Sequence, residues 1–206
     1  MAVRTRLSVD ARREQLITLG EELFSARPFD EISIDDIAAR AEISKGLLYH
    51  YFGSKRDFYV AVVRSGVATL REVTAVSSSV PEPERTRRSL DAYLAYVEAH
   101  AAGYLRLVGS GGAADPEIAA IIDALRQEFV DRALQGLRRA DAGAPTPLLR
   151  SALRGWVGMV EGASIDWVAH RDVPRDTLRE LLERSLASTV RAALEGAPAG
   201  APGGVR

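Results

Sequence analysis

Residues 32–55 read ISIDDIAARAEISKGLLYHYFGSK, and this stretch decides the fold. Ser33 is a good N-cap, because its hydroxyl can accept a bond from a free backbone N–H two or three residues on. Asp36 follows where an acid suits the positive end of a helix dipole. Ile34, Ile37, Ala38 and Ala41 recur at helical spacing and make one apolar face. Glu42 and Ile43 are too few for a loop, and Ser44 caps a second helix. Leu47, Leu48, Tyr51 and Phe52 are expected on its inner side. Two short helices joined by a tight turn form a helix-turn-helix unit, whose second helix is sized for the DNA major groove.

The outer side of that second helix fits the same reading. Lys45, Gly46, Tyr49 and His50 are small, cationic or hydrogen-bonding. Glycine inside a helix costs about 1 kcal/mol relative to alanine. Close approach to a phosphate or a base edge is a return for that cost. Gly53 and Ser54 break the helix, and Ser54 caps the next. Lys55 and Arg56 sit in its first turn, where cations oppose the dipole unless a phosphate is bound there.

These residues resemble the TetR (tetracycline-repressor) family of transcriptional regulators. The family pattern is a capped helix, a turn, then Ser-Lys-Gly-x-Leu-Tyr-x-Tyr/His-Phe-x-x-Lys. It stands here as Ser44, Lys45, Gly46, Leu48, Tyr49, Tyr51, Phe52 and Lys55. The preceding helix also fits, with Leu16, Leu19, Leu23 and Phe24 leading to Phe29, Ile32 and Ile34. The likeness covers residues 10–65. Leu47 stands where a threonine is common in the family. It cannot donate to a phosphate but can touch a thymine methyl. The resemblance implies a homodimer whose last two long helices form a four-helix bundle with their symmetry mates. It also implies an effector cavity in the C-terminal helices.

Composition sets outer bounds. The 206 residues suit one or two small domains. No run of 18 or more apolar residues occurs, so no membrane span is expected. No apolar h-region opens the sequence, so no secretory signal is expected. Cysteine is absent, which excludes disulfides and thiolate metal sites and fits a cytoplasmic protein. The formal net charge of −1 argues against a protein that coats nucleic acid. A local patch still works, because exposed charges act within about 10 Å at moderate salt. Arg4, Arg6, Arg12 and Arg13 crowd the N-terminus, and Lys45, Lys55 and Arg56 surround the motif. Arg4 and Arg6 are either a solvated tail or an arm along a DNA groove.

The spacing predicts an all-α protein. A first helix runs from Ser8 or Val9 to Ala26, and the helix opened by Ser54 runs to Val76. Residues 77–83 are a loop by composition. A helix is expected over 84–108, broken by the Gly109–Gly112 run, which is not a P-loop. The next is capped by Asp115, with Pro116 in its first turn, and 141–147 is a second loop. Two helices end the sequence, 147–170 and 174–195, joined too tightly for anything but an antiparallel hairpin. The expected domains are therefore a helix-turn-helix domain at 9–65, a helical effector-binding and dimerisation domain at 66–195, and a disordered tail at 196–206.

Gly155, Gly158 and Gly162 share one side of their helix. Either that side is tightly packed within one monomer, or it is a dimer interface formed with the last helix. Trp156, Met159, Val160 and Trp167 add large apolar area there. Tyr93, Tyr96, His100, Tyr104, Phe129 and Trp156 are either core aromatics and a surface histidine, or the lining of a ligand pocket. Glu161 and Asp166 stand on an otherwise apolar helix as surface, pocket or interface charges. No histidine pair at metal-ligand spacing, nucleophile elbow or dinucleotide fingerprint is present, so neither metal nor cofactor is expected.

The leading expectation is a non-enzymatic, ligand-responsive transcriptional regulator, a repressor released from its double-stranded operator by a small apolar effector. Ser33, Ser44, Lys45, Gly46, Leu47, Tyr49, His50 and Lys55 are the expected DNA-binding residues. The competing reading is a helical small-molecule carrier or enzyme whose helix-turn-helix serves only packing.

Overall fold

The computed structural model describes residues 8–82, 84–109, 115–139 and 146–196, and every regular element among them is helical. The protein divides into two compact units, residues 1–72 with 99–122, and residues 73–98 with 123–206. Arg4 and Arg6, most of the Gly109–Gly112 run, residues 141–145 and the tail beyond Gly196 lie outside the described residues.

In the first unit, α1 (Val9–Ala26) opens on Ser8, whose hydroxyl accepts from the Ala11 amide at 3.1 Å. It buries Leu16, Ile17, Gly20 and Phe24. Helices α2 (Ile34–Arg40), α3 (Lys45–Phe52) and α4 (Lys55–Val73) follow. Ile37, Leu48, Phe52, Phe58 and Val62 join the α1 residues in one core. Gly20 is needed for close approach, since a methyl there would come within 2.4 Å of the Val62 side chain. Gly53, at φ 71°, has the left-handed conformation that lets α3 stop and α4 start. Ser54 caps α4, accepting from the Asp57 amide at 3.0 Å. The fourth helix ends at Val73, short of the expected Val76.

The expected helix 84–108 is not continuous. Helix α5 (Glu84–Ala99) stops at His100, which has φ −115° and ψ 26°. A short α6 (Ala101–Tyr104) and a π-type turn (Leu105–Gly109) follow. These last two belong to the first unit, where the Arg106 guanidinium donates to the carbonyls of Ser25 and Ala26 at 3.2 and 3.1 Å. Those are orphan C-terminal carbonyls of α1, so the Arg106 guanidinium caps that helix end. Helix α7 (Pro116–Arg139) is capped by Asp115, whose carboxylate accepts from the Glu117 and Ile118 amides.

In the second unit, α8 (Pro147–His170) and α9 (Arg175–Glu195) pack together. The Trp156 indole donates to the Leu182 carbonyl at 3.2 Å and to Ser185 Oγ at 3.0 Å. Near the hairpin, the Trp167 indole donates to the Val173 carbonyl at 2.7 Å. Partners that descend along α9 as α8 is climbed mean an antiparallel pair. Val130, Leu149, Leu153, Val157 and Ala193 form the core of this unit.

Candidate nucleic-acid interface

The helix-turn-helix is locally over-determined. Ser33 and Asp36 form a reciprocal capping box, with the Ser33 amide donating to Asp36 Oδ2 at 2.9 Å and the Asp36 amide to Ser33 Oγ at 3.0 Å. The backbone bond from Ser33, then the one from its hydroxyl, hold the Asp36 carboxyl below its usual range. Helix α2 ends in paired bonds, Glu42 N–H to Ala39 O at 3.2 Å and Ile43 N–H to Ala38 O at 3.0 Å. This is a Schellman ending, and Glu42 occupies its left-handed position at φ 54°. Ser44 then caps α3 through the Leu47 amide at 3.2 Å.

The faces of α3 separate cleanly. Leu48 and Phe52 are buried, and Tyr51 packs partly against the core. Leu47 does not join them. It is 38% exposed and Tyr49 47%, which places both on the outer face with Lys45, Gly46 and His50. The inward placement of Leu47 is thus corrected: one step along a helix turns a side chain by about 100°, so of two adjacent leucines only Leu48 faces the core. A methyl on Gly46 would meet no described residue closer than Ser44 Oγ at 3.9 Å, so nothing around it within the monomer demands glycine.

The cations are less free than their sequence positions suggest. Lys45 Nζ lies 2.5 Å from Asp35 Oδ1, and that hydrogen bond raises the Lys45 pKa. The Lys55 ammonium sits over the Phe29 ring, 4.0 Å from its centroid. Arg56 makes a two-pronged pair with Asp115, at 2.7 and 2.8 Å, and reaches Glu117 at 3.0 Å. Glu117 also takes Arg64 at 3.0 Å. The bond to Asp115, then that to Glu117, raises the Arg56 pKa. The Ser33 hydroxyl donates within its own capping box, to Asp36 Oδ2 at 2.9 Å. Ser44 is engaged as a cap.

The aromatic candidates of the C-terminal region are divided between the two units. Tyr93, Tyr96, Phe129 and Trp156 belong to the second unit, His100 and Tyr104 to the first. Tyr93 and Phe129 meet edge-on, with centroids 6.4 Å apart, and Arg132 lies over Phe129 at 5.5 Å. Phe129 and Trp156 both border the second core. His100 is exposed at the break after α5, and Tyr104 is buried. Glu161 pairs with Arg126 at 2.8 Å, and Asp166 with His170 at 3.3 Å.

Sequence reasoning passed over Asp35, Arg106, Asp115 as a partner of Arg56, and Glu117. Asp115 and Glu117 lie 59 and 61 residues from Arg56, and Arg106 lies 80 from Ala26. No local pattern reports such pairs. Asp35 and Lys45 both stand in the first turn of their helices, and that shared position is the one local signal that the sequence offered for this pair.

Gly155, Gly158 and Gly162 are exposed, and a methyl on any of them would meet nothing within 4 Å. Among the described residues, tight packing within one monomer is therefore excluded for this side of α8. Met159, 40% exposed, shares the stripe.

Comparison with known proteins agrees with this geometry. The family model described as "Bacterial regulatory proteins, tetR family" matches residues 16–62, and "Tetracyclin repressor-like, C-terminal domain" matches residues 83–189. The sequence is 28% identical over 173 residues to the HTH-type transcriptional activator FasR of Mycolicibacterium smegmatis, covering 83% of this protein and 78% of that one. It is 37% identical over 60 residues to the HTH-type transcriptional repressor NemR of Escherichia coli, covering 29% of this protein and 30% of that one. Among solved structures, a tetR-family transcriptional regulator from Streptomyces coelicolor superposes with a TM-score of 0.77 at 29% identity, covering 93% of this protein and 92% of that one. The C-terminal family model alone spans more than half of the sequence, and with the helix-turn-helix match before it the protein belongs to the TetR family of transcriptional regulators.

Proposed function

We propose that the protein is a homodimeric repressor that grips a double-stranded operator with two copies of α3 and lets go when a small, mostly apolar effector binds among the C-terminal helices. The observation that carries this reading is the outer face of α3. A rigidly capped helix exposes Leu47 and Tyr49, two large side chains, beside Lys45, Gly46 and His50. Tyr49 and Lys55 are assigned to phosphate oxygens, and Lys45 and His50 to base edges. Ser33 and Ser44 contribute by holding the two helices in register. For Lys55 to reach a phosphate it must leave the Phe29 ring, a cation–π contact between two half-buried side chains worth about 0.5–2 kcal/mol. The reading as a carrier or enzyme with a packing-only motif has no observation in its favour.

The bare stripe of Gly155, Gly158, Met159 and Gly162 supports dimerisation through α8 and α9, since glycines let two helix backbones approach closely. Two recognition helices on a twofold axis then suit a palindromic operator. The effector reading rests on Tyr93, Phe129 and neighbouring side chains of the second unit and on the family's C-terminal domain.

The deciding experiment is selection of duplexes from a random pool by the full-length protein, followed by titration at several salt concentrations. The expected result is a palindromic consensus and an affinity that falls steeply with salt. Enrichment of no sequence would sink the proposal, and so would binding that salt leaves unchanged.

A further inference from the structure

The pair Asp35–Lys45 is unexplained by stability. Both side chains are largely exposed, at 67% and 56%. Exposed ion pairs of this kind stabilise a fold by about 0–1 kcal/mol. A carboxylate also works against a surface that must approach phosphates. The neighbouring acid shows the contrast. Asp36 is committed to the Ser33 amide and hydroxyl and lies 3.7 Å from Arg27. Asp35 meets Lys45 through one oxygen, Oδ1.

The placement gives this pair access to base edges. Lys45 is the first residue of α3, and residues at the start of a recognition helix are those that meet bases. Asp35 is fixed beside it from α2. Together they present a donor and an acceptor side by side. The ammonium has three N–H groups, and Asp35 takes one. The second carboxylate oxygen is left to accept. In the major groove a G·C pair shows two acceptors, guanine N7 and O6, next to one donor, cytosine N4–H2. That is the mirror of what Lys45 and Asp35 offer. An A·T pair puts the adenine N6–H2 donor against the ammonium and thymine O4 against the carboxylate. A C·G pair read in the opposite sense sets donor against donor and acceptor against acceptor as well.

We propose that Asp35 and Lys45 read one G·C base pair of each operator half-site as a unit, Lys45 donating to guanine O6 and N7 and Asp35 accepting from cytosine N4. Asp35 is on this view a specificity-determining residue rather than a structural one. The proposal rests on α3 being the recognition helix.

The test uses the full-length protein and the duplex it selects from a random pool. For the wild type, changing the assigned G·C pair to A·T should weaken binding by about 10-fold or more, the usual worth of a good base contact. In Asp35→Ala the same change should cost less than about 3-fold, while affinity for mixed-sequence DNA rises and the salt slope steepens by about one unit, because Lys45 is released to a phosphate. Lys45→Met approaches the same base pair from the other side and should also flatten its preference. Both side chains are exposed, so the melting temperature of either variant checks that the fold is retained. The proposal is overturned if Asp35→Ala tightens every duplex alike and keeps the base preference, since Asp35 then acts only as a through-space charge. It is equally overturned if Lys45→Met leaves the preference intact. A wild-type protein that selects no sequence fails at the earlier step and removes the recognition-helix reading itself.

Discussion

Gly46 shows how a single residue can be read only by asking what surrounds it. Sequence marks it as a misfit in a helix, and the structure has open space where its side chain would stand. Gly46→Ala is therefore expected to stabilise the folded protein by up to about 1 kcal/mol while weakening operator affinity. Thermal melting and a DNA titration of the same variant would check both halves, and unchanged affinity would remove close approach as the reason for glycine. Arg56 is the opposite case. Its position in the first turn of α4 suggests a phosphate ligand, yet Asp115 and Glu117 hold it. Arg56 depresses the Asp115 carboxyl, and Arg64 then Arg56 depress that of Glu117, below their ordinary values of 3.8 and 4.5. A carboxyl whose folded pKa is lowered stabilises above its unfolded pKa, and that contribution disappears as pH falls through the folded value. Wild type should thus melt higher than Asp115→Asn/Glu117→Gln at neutral pH, and the gap should close below about pH 4. Asparagine retains the α7 cap, so a gap that persists into acid would show that something other than charge is lost.

Among the elements, those built from neighbours in sequence were legible and those set by distant partners were not. The caps Ser8, Ser33, Ser44, Ser54 and Asp115 and the tight α8–α9 hairpin follow from local chemistry. The end of α5 does not. Residues 84–108 have helical periodicity throughout, and the break at His100 puts α6 and Arg106 against α1, a contact no local pattern encodes. The turn between α2 and α3 carries a local strain that is testable. Glu42 sits at φ 54°, in a region where a β-carbon costs roughly 1–2 kcal/mol. Glycine relieves that cost but adds freedom to the unfolded state, so Glu42→Gly should gain about 0.5–1 kcal/mol, read by denaturant melts with an unchanged m-value. A loss of stability would mean that the Glu42 side chain makes a contribution larger than the strain. For α8, the question is what covers the glycine stripe. Among the described residues, a methyl at position 158 would meet nothing within 4 Å. Gly158→Leu should therefore leave helical content intact and weaken the dimer, by about 5- to 150-fold if overpacking costs about 1–3 kcal/mol there. Sedimentation across a concentration series measures this, and a wild type that is monomeric at micromolar concentration would dismiss the proposed interface.

At the scale of the whole molecule, the two units interleave along the sequence rather than follow one another. The backbone passes between them at Glu72–Val73, Glu98–Ala99 and Ile122–Asp123. The last crossing falls inside α7, which continues through it as one helix. The start of α7 is tied to Arg56 and Arg64 of α4 in the DNA-binding unit, while its later turns supply Phe129 and Val130 to the core of the other unit. Helix α7 thus has its first turns in one unit and its later turns in the other, and its ion pairs with α4 join residues 53 to 61 apart in sequence, beyond any local pattern. An effector that rearranges side chains around Phe129 would act on a helix whose other end holds Arg56, three residues after the Gly53 cap of the proposed recognition helix. Coupling of about 1–3 kcal/mol, or 5- to 150-fold in affinity, is usual for such linked sites and is reciprocal. The expected outcome is that a bound effector weakens operator affinity by that factor and that operator DNA weakens the effector equally. Calorimetry of the effector with free and operator-bound protein measures both sides of the cycle. Asp115→Asn/Glu117→Gln should reduce the coupling without abolishing either binding event, because it removes the tie and leaves both sites in place. A ligand that binds free and DNA-bound protein with the same affinity is not the inducer, since equal affinity for two states shifts no equilibrium between them.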